Sequence, residues 1–400
     1  MYDLIVVGSG PAGSTCARKA ALQGVKVLLI EKESHPRTKP CGGALSPRAH
    51  SILDFDIDDV IETRIHGAFF YSPSGKRLEF YRSDITGSLV DRARFDALLV
   101  DKAREAGVET IGNSRVVAVE QTRKGVRVLT RGDSHRCNLL VGADGVNSTV
   151  AKATGIRQTW PAERVALCIS TEALVDSKAI ARTMSIASSR NGLGIELFFG
   201  RVGCGYAWCF PKKRSLNIGI GTPLDQAGRL KEAWKAFVMF LEAKKELELD
   251  VSSAQAFKVP IGGIKERLTS RRTMLVGDAA GLASPITGEG IYYALESGRL
   301  AASLATKAVR QKNPLLVRMY DQHIQKLVVN ELRAARLLAG VFYRSPRNIE
   351  LIWETCNKDS QMKDYILDLI IGIKSPVELG KSMAKRLVVK HPTKAIRLGL

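Results

Sequence analysis

The stretch YDLIVVGSGPAG, residues 2–13, decides the fold of this chain. Its apolar part has the composition of a buried parallel strand, and that strand runs directly into a glycine turn. Residues 14–22 then predict a helix, and residues 25–30 predict a second strand that ends at Glu31. The opening of the chain therefore predicts a complete strand–helix–strand unit.

The glycines of this turn have separate roles in nucleotide binding. Gly8 permits the tight turn, Gly10 lets the backbone approach a pyrophosphate, and Gly13 lets the helix pack close to the strand. The helix opens near Ser14, and its N-terminus faces the anion. Glu31 lies about 20 residues beyond the turn, where a carboxylate binds an adenosine ribose and disfavours the 2′-phosphate of NADP. This unit alone predicts FAD or NAD.

The composition is that of a globular protein with more than one core. The chain has 400 residues and 45% of them are hydrophobic. A chain of this length exceeds a single compact core. No apolar run reaches membrane-spanning length and the chain starts directly with a strand, so we expect a cytoplasmic protein without a secretion signal. The seven cysteines are scattered and form no Cys-x-x-Cys pair, which argues against a disulfide framework and a metal site.

The net charge of +20 predicts an anionic partner. Nucleic acid is disfavoured, because no nucleic-acid motif occurs and aromatic residues do not interleave with the basic ones. An anionic membrane surface ranks first, since residues 381–400 mix basic and apolar side chains as an interfacial segment does. The alternatives are a basic tail packed on the body and a charge that serves solubility alone. We expect a monomer.

Two later stretches repeat the pattern of an acid just beyond a predicted buried strand. They are GADG at residues 142–145 and GDAAG at residues 277–281. Together with the glycine turn, they resemble in order and spacing the three fingerprints of the FAD-containing hydroxylase superfamily. The resemblance implies that the nucleotide is FAD and not NAD.

The resemblance also implies which residues bind FAD. Asp278 can accept a hydrogen bond from the ribityl chain, and the helix that opens at Gly290 and Ile291 directs its positive end at the pyrimidine edge of the flavin. Arg92 fits a position that contacts the cofactor, and Val116 fits a strand position beside the adenine; the alternative for Arg92 is a surface arginine. The predicted cofactor-binding residues are Gly8, Gly10, Gly13, Ser14, Glu31, Cys41, Gly42, Ala44, Arg92, Val116, Asp144, Asp278, Gly288, Gly290 and Ile291.

The order of strand and helix signals divides the chain. We predict an α/β fold, with a Rossmann-like FAD-binding domain, an inserted antiparallel-sheet substrate domain and a helical C-terminal region. The predicted segments are 1–160 for the FAD-binding domain with short strands at 64–90, 161–265 for the inserted sheet, 266–312 for the rest of the FAD-binding domain, and 313–400 for the C-terminal helices.

Two further stretches resemble signatures of the geranylgeranyl reductase family: PCGGA at residues 40–44, and YAWCFPK at residues 206–212 followed by NIGIG at residues 217–221. In an extended strand every second side chain shares a face, so the rings of YAWCFPK form a wall. Such a wall suits an isoprenoid chain, which needs desolvation rather than hydrogen bonds. The alternative is an ordinary core wall. The predicted substrate-binding residues are Tyr206, Trp208, Phe210 and Lys212, the last as a contact for an anionic head group.

By this resemblance the reaction is the saturation of double bonds in a geranylgeranyl chain. Reduced flavin delivers a hydride to one alkene carbon, and a proton reaches the other. Cys41 is the predicted catalytic residue, as a proton relay or packing group beside the flavin; the alternative is a small buried hydrophobe. No second dinucleotide fingerprint occurs, so the electron donor is either NADPH, bound transiently, or a ferredoxin, whose acidic surface suits the net charge of +20.

Two other functions stay open at this point. A flavin monooxygenase acting on an aromatic substrate shares the FAD motifs, and it would consume oxygen. A non-catalytic isoprenoid carrier shares the fold, and it would be colourless when purified.

Overall fold

A computed structural model describes residues 1–82, 84, 86–186, 192–262 and 267–399. Its strands, in chain order, are β1 (Tyr2–Val7), β2 (Val27–Ile30), β3 (Ala44–Leu45), β4 (Ile61–Tyr71), β5 (Arg77–Tyr81), β6 (Gly87–Val90), β7 (Glu109–Ile111), β8 (Val116–Gln121), β9 (Val126–Thr130), β10 (Ser134–Gly142), β11 (Val165–Leu174), β12 (Leu193–Phe199), β13 (Tyr206–Pro211), β14 (Ser215–Pro223), β15 (Gln255–Pro260), β16 (Thr269–Ser270) and β17 (Thr273–Leu275).

Helices connect and cover these strands. They are α1 (Pro11–Ala21), α2 (Pro47–Ile52), α3 (Arg92–Glu105), α4 (Thr149–Ala153), α5 (Ser177–Met184), α6 (Leu230–Lys245), α7 (Ile291–Arg310), α8 (Met319–Ile324), α9 (Asn330–Phe342), α10 (Pro346–Lys358), α11 (Ser360–Ile370), α12 (Pro376–Lys390) and α13 (Pro392–Leu398). Within the described part of the chain, no helix is both long and apolar enough to cross a membrane.

The first sheet has the strand order β16-β17-β10-β1-β2-β7, and β9 pairs with β10 and β8. The strands β17, β10, β1, β2 and β7 run parallel. Helix α1 crosses from β1 to β2 and packs so tightly on α7 that a side-chain carbon on Gly298 would stand 2.3 Å from the carbonyl oxygen of Ala12. The predicted Rossmann-like unit is confirmed, with α7 lying directly against its crossover helix.

The second sheet has the order β15-β11-β14-β13-β12-β4-β6-β3, with β5 paired to β4. Its neighbours are antiparallel except β4 and β12, which run parallel. The predicted fold class is therefore confirmed. The pairing of β4 with β12 joins residues 61–71, predicted to belong to the first segment, to a strand of the predicted insertion. The domain boundaries stay a prediction.

The C-terminal helices α9 to α13 cover one face of the second sheet. Trp208 and Phe210 of β13 belong to the same buried hydrophobic cluster as Trp353 of α10 and Phe342 of α9. The opposite face of β13 carries Ala207 and packs into a separate cluster with α6. The ring-bearing face of the sheet is therefore enclosed by the C-terminal helices.

Candidate active site

The glycine turn after β1 is too tight for side chains. Gly8 has φ +97°, and a side-chain carbon there would stand 2.3 Å from the carbonyl oxygen of Ala143. At Gly13 that carbon would stand 1.8 Å from the carbonyl oxygen of Gly8. Ser14 contributes to the turn itself, because its hydroxyl donates to the carbonyl oxygen of Ser9 at 2.9 Å. Since Gly10 precedes α1 and has no side chain to cap it, the first turn of α1 offers its N–H groups to an anion.

Glu31 directly follows β2 and is a buried, ionised carboxylate. Its Oε2 accepts hydrogen bonds from the backbone N–H and the hydroxyl of Ser9, both at 2.8 Å. Burial raises the pKa of Glu31, but the hydrogen bonds from Ser9 and the charge of Arg37 outweigh it and lower that pKa below its ordinary value. A negative charge is therefore held where the resemblance implies an adenosine ribose.

The start of α3 adds a second buried acid with basic partners. Arg92 is only 7% exposed, so it is not the surface arginine of the alternative interpretation. Its guanidinium donates two hydrogen bonds to the carboxylate of the fully buried Asp96, at 2.9 Å and 3.0 Å. Burial lowers the pKa of Arg92, and the charge of Asp96 more than restores it, so the guanidinium stays charged.

Asp144 has a local structural role. Its carboxylate accepts hydrogen bonds from the backbone N–H groups of Thr149 and Val150 at 2.7 Å and 3.0 Å, at the first turn of α4. Burial raises the pKa of this carboxyl. Val116, at the start of β8, is buried in the core of the first sheet. The cofactor contacts predicted for these residues stay predictions.

The GDAAG stretch and the start of α7 come together in space. Gly277 has φ +55° and opens a short helical turn that carries Asp278. Asp278 Oδ1 lies 3.8 Å from the position that a side-chain carbon on Gly290 would take. Gly290 precedes α7 and, like Gly10 at α1, has no side chain to cap the helix. Ile291 is buried beside Leu45 and Phe95. The positive end of a long helix thus lies beside Asp278.

The turn before α7 also touches the ring-bearing face of β13. A side-chain carbon on Gly288 would stand 2.8 Å from Tyr206 Oη, and that hydroxyl donates to the carbonyl oxygen of Thr287. The ring centroids of Tyr206 and Trp208 lie 6.0 Å apart, and those of Trp208 and Phe210 lie 6.4 Å apart. The predicted wall of rings therefore exists and begins at the third fingerprint.

The Cys41 loop closes the arrangement from the other side. A side-chain carbon on Gly42 would stand 2.7 Å from a ring carbon of Phe210. Asn217 of β14 donates to the carbonyl oxygen of Cys41 at 3.2 Å and accepts from Trp208 Nε1 at 2.7 Å. The thiol of Cys41 accepts the N–H of Gly43 at 3.4 Å. Ala44 follows in β3, paired with Leu89 of β6. The Cys41 loop therefore packs on β13, the strand that also contacts the turn before α7.

Comparison with known proteins identifies the family of this chain. Residues 1–328 match the family model described as FAD binding domain. The chain is 31% identical over 323 residues to the digeranylgeranylglycerophospholipid reductase of Methanococcus vannielii, covering 78% of each chain. It is 30% identical over 363 residues to the geranylgeranyl diphosphate reductase of Rhodobacter capsulatus, covering 89% of this chain and 88% of the relative. The chain belongs to the geranylgeranyl reductase family.

A protein from Thermoplasma acidophilum, whose solved structure is described as geranylgeranyl bacteriochlorophyll reductase-like, has the same fold. Its TM-score is 0.80 at 23% identity, and the alignment covers 100% of this chain and 98% of that one. The cofactor of the family is FAD, as the sequence predicts.

The described residues fit FAD in this geranylgeranyl reductase fold. A side-chain carbon on Gly10 would meet no atom closer than Arg37 Nη2, at 3.7 Å. Two buried polar atoms near the turn, Arg37 Nε and His35 Nδ1, make no hydrogen bond within the described part of the chain. The ring-bearing face of β13 is apolar and buried, and its Tyr206 contacts the turn before α7. FAD supplies hydride transfer when it is bound.

Arg37 is a functional candidate that the sequence reasoning missed. Its Nη2 lies 3.2 Å from Asp96 Oδ2 and 3.7 Å from the position that a side-chain carbon on Gly10 would take. Its side chain is only 13% exposed. A guanidinium is therefore held over the turn where a pyrophosphate is expected. A basic residue in the proline-rich loop just after Glu31 was the signal that could have indicated it.

Lys212 faces the protein interior. It is only 4% exposed, and its ammonium group pairs with Glu172, which also accepts a hydrogen bond from Asn217 at 2.8 Å. Its positive charge is thus already balanced by a neighbour. The predicted contact between Lys212 and an anionic head group stays a prediction.

Proposed function

We propose that this protein is an FAD-dependent reductase that saturates double bonds of geranylgeranyl chains on a lipid or diphosphate, in the synthesis of archaeal-type membrane lipids or related isoprenoids. The observation that carries the proposal is the meeting of the Cys41 loop, the start of α7 and the ring-bearing face of β13. The relatives from Methanococcus and Rhodobacter support it, because their names specify reduction of such chains.

In this proposal, backbone groups bind the cofactor and aromatic side chains bind the substrate. N–H groups would hold FAD at two places: those of the turn at Gly8, Gly10 and Gly13 would bind its phosphates, and those of the helix start at Gly290 would bind its flavin end. Trp208 and its neighbouring rings on β13 exclude water and align the apolar chain, because an unactivated alkene accepts a hydride only when it is closely positioned in a dry site.

Cys41 is the proposed residue beside the reacting carbons. Its loop is fixed on one side by Asn217 and on the other by Phe210, so its thiol is held in a defined place. From there it would deliver a proton to the alkene or hold the isoprenoid chain in place for reduction.

Anaerobic product analysis tests this function. The holoenzyme is reduced with dithionite and mixed with a geranylgeranyl glycerophospholipid or with geranylgeranyl diphosphate. The masses of the products are then measured by mass spectrometry. We expect a gain of two hydrogens for each bond reduced, and no gain with a fully saturated phytanyl lipid or without dithionite. Product formation that requires oxygen would instead indicate a monooxygenase, and a purified protein without flavin would indicate a carrier.

The same assay compares the electron donors. NADPH and a reduced ferredoxin replace dithionite in parallel reactions. We propose that the donor is NADPH or a ferredoxin, whose acidic surface suits a chain of net charge +20, and the one that yields saturated product in this assay is the donor.

We further propose that the C-terminal helices bind an anionic membrane surface. Helices α12 and α13 bury one apolar side in the body, including Met383 and Leu387. Their other side exposes Val388, Val389 and Ile396 at 54%, 65% and 76%. The same two helices also expose basic residues: Lys381, Lys385, Lys390 and Arg397. Apolar and basic side chains on one exposed surface suit an interface of anionic lipid.

Vesicle sedimentation tests this surface. We expect the protein to pellet with vesicles that contain phosphatidylglycerol and to stay in solution with phosphatidylcholine alone. Ile396→Ser lowers the pelleted fraction, whereas Leu174→Ser, at a residue 80% exposed elsewhere, leaves it unchanged. Equal pelleting of both variants would contradict the assignment.

A further inference from the structure

The carboxamide of Asn217 connects three parts of the proposed site. Asn217 belongs to β14 and is only 2% exposed. Its Oδ1 accepts a hydrogen bond from Trp208 Nε1 at 2.7 Å. Its Nδ2 donates to the carbonyl oxygen of Cys41 at 3.2 Å and to Glu172 Oε1 at 2.8 Å. The oxygen and both hydrogens of this amide therefore have partners.

These partners fix the direction of the amide. An indole N–H only donates a hydrogen bond, whereas a carbonyl oxygen and a carboxylate only accept one. The amide oxygen must therefore face Trp208, and the amide nitrogen must face Cys41 and Glu172. An oxygen in place of that nitrogen would meet two acceptors and lose both hydrogen bonds.

The neighbouring strands hold the amide in place. Asn217 pairs with Phe210 of β13 on one side and with Glu172 of β11 on the other. Glu172 is fixed in turn, because it pairs with Lys212 and accepts a hydrogen bond from Ser215 at 3.0 Å. The amide thus lies on rigid strands, and such a support can hold a loop in a defined position.

The ring of Trp208 lies across β14 beside this amide. Gly219 pairs with Trp208, and a side-chain carbon on Gly219 would stand 2.1 Å from a carbon of the indole. The indole therefore occupies the space that a side chain at position 219 would take, and its N–H reaches Asn217. One side chain holds both the ring and the backbone of Cys41.

We propose that Asn217 is a positioning residue that sets the place of the Cys41 thiol relative to Trp208 during reduction of the isoprenoid chain. It acts on the carbonyl oxygen of Cys41, which belongs to the backbone that carries the thiol. Without this hydrogen bond the loop can move away from the ring. The inference rests on the proposed role of Cys41, but the position of the loop can be measured without any lipid.

Two variants separate positioning from a role in folding alone. Asn217→Asp keeps the shape of the side chain and the acceptor for Trp208, but it directs an oxygen at Cys41 and Glu172. Adding Glu172→Gln restores a hydrogen bond between positions 217 and 172, with donor and acceptor exchanged. In both variants the carbonyl oxygen of Cys41 still faces an oxygen. The double variant therefore repairs the contact between the strands and leaves the contact with the loop broken.

The reactivity of the Cys41 thiol measures the position of its loop. The FAD-loaded protein is treated with iodoacetamide without lipid, and alkylation is followed by peptide mass spectrometry. We expect Cys41 to react about fivefold faster in the double variant, because one lost hydrogen bond shifts a local equilibrium by about that factor. Cys204, the other partly buried thiol, should react at an unchanged rate. Asn138→Asp is the matched control and changes neither rate, since Asn138 donates to a carboxylate oxygen of Asp3 at 3.4 Å in the first sheet.

Unfolding and turnover complete the test. We expect the double variant to recover the urea midpoint that Asn217→Asp lowers, while a geranylgeranyl lipid reoxidises its flavin about 10–100-fold more slowly than that of the unaltered protein. Unchanged alkylation of Cys41 in the folded double variant would overturn the proposal, and so would normal turnover. Equal acceleration at Cys204 would indicate a role in folding alone and would also overturn it. An unaltered protein that reduces no geranylgeranyl lipid would refute the proposed function instead, and the alkylation rates would still decide the position of the loop.

Discussion

Replacing Gly42 by alanine tests the contact between the Cys41 loop and the aromatic strand. The new methyl group would stand 2.7 Å and 2.9 Å from two ring carbons of Phe210. Carbon atoms in contact prefer about 3.5–4.0 Å, so the ring or the loop must move by about 1 Å. The backbone of Gly42 does not lie in the left-handed region. The cost is therefore steric and local.

The surroundings of Gly42 set the size of this cost. Overpacking of a core by one methyl group costs about 1–3 kcal/mol. The loop cannot simply withdraw, because Asn217 holds the carbonyl oxygen of Cys41 at 3.2 Å and loss of that hydrogen bond costs about 1 kcal/mol. We expect Gly42→Ala to lower the free energy of unfolding by about 2 kcal/mol.

A double-mutant cycle in urea measures this contact. Phe210→Leu removes the ring carbons that the methyl group meets, so it should recover at least about 1 kcal/mol when combined with Gly42→Ala. Gly132→Ala is the matched control, since no described atom lies within 4 Å of its new methyl group. Additivity of the two changes within about 0.5 kcal/mol would refute the contact, as would an equal loss in the Gly132 variant.

Three other variants test separate parts of the account. Cys41→Ala keeps bound FAD but loses most of the turnover. Cys204→Ala, at the other partly buried thiol, keeps both. Normal turnover in Cys41→Ala would show that Cys41 takes no part in the reaction. Arg37→Gln weakens FAD binding about tenfold in a flavin fluorescence titration, because a buried charged contact is worth about 1.5–3 kcal/mol; Arg94→Gln, at a surface arginine, does not. Glu289 binds a proton more tightly in the folded chain, since its pKa rises from 4.5 to about 7. The contribution of this proton to the free energy of unfolding is complete below about pH 4.5. It declines by up to about 3 kcal/mol as the pH rises through 7. In urea unfolding, Glu289→Gln therefore gains stability relative to the unaltered protein between pH 5 and pH 8. A difference in the free energy of unfolding that stays constant over this range would contradict the raised pKa of Glu289.

The nucleotide-binding unit could be predicted because its signals are local. Periodicity and glycine spacing within residues 2–31 specify strand, turn, helix and strand, and the structure has β1, α1 and β2 in those places. The face shared by Tyr206, Trp208 and Phe210 could be predicted for the same reason, since alternation along one strand fixes it.

The rest depends on contacts between distant parts of the chain. Nothing in the sequence near β4 indicates that it pairs with β12, more than a hundred residues later. The pairing of Lys212 with Glu172, and the position of Arg37 between Glu31 and Asp96, likewise follow from tertiary packing. Single side chains in irregular loops carry no periodic signal, so their partners emerge only from the folded structure.

The decisive experiment is the reoxidation of the reduced flavin by an isoprenoid chain. The holoenzyme is reduced without oxygen, mixed rapidly with a geranylgeranyl lipid, and followed by the return of flavin absorbance. We expect the flavin to be reoxidised in proportion to the double bonds saturated, and to stay reduced with a fully saturated lipid. A flavin that stays reduced with the geranylgeranyl lipid and is reoxidised only when oxygen is admitted would contradict the account.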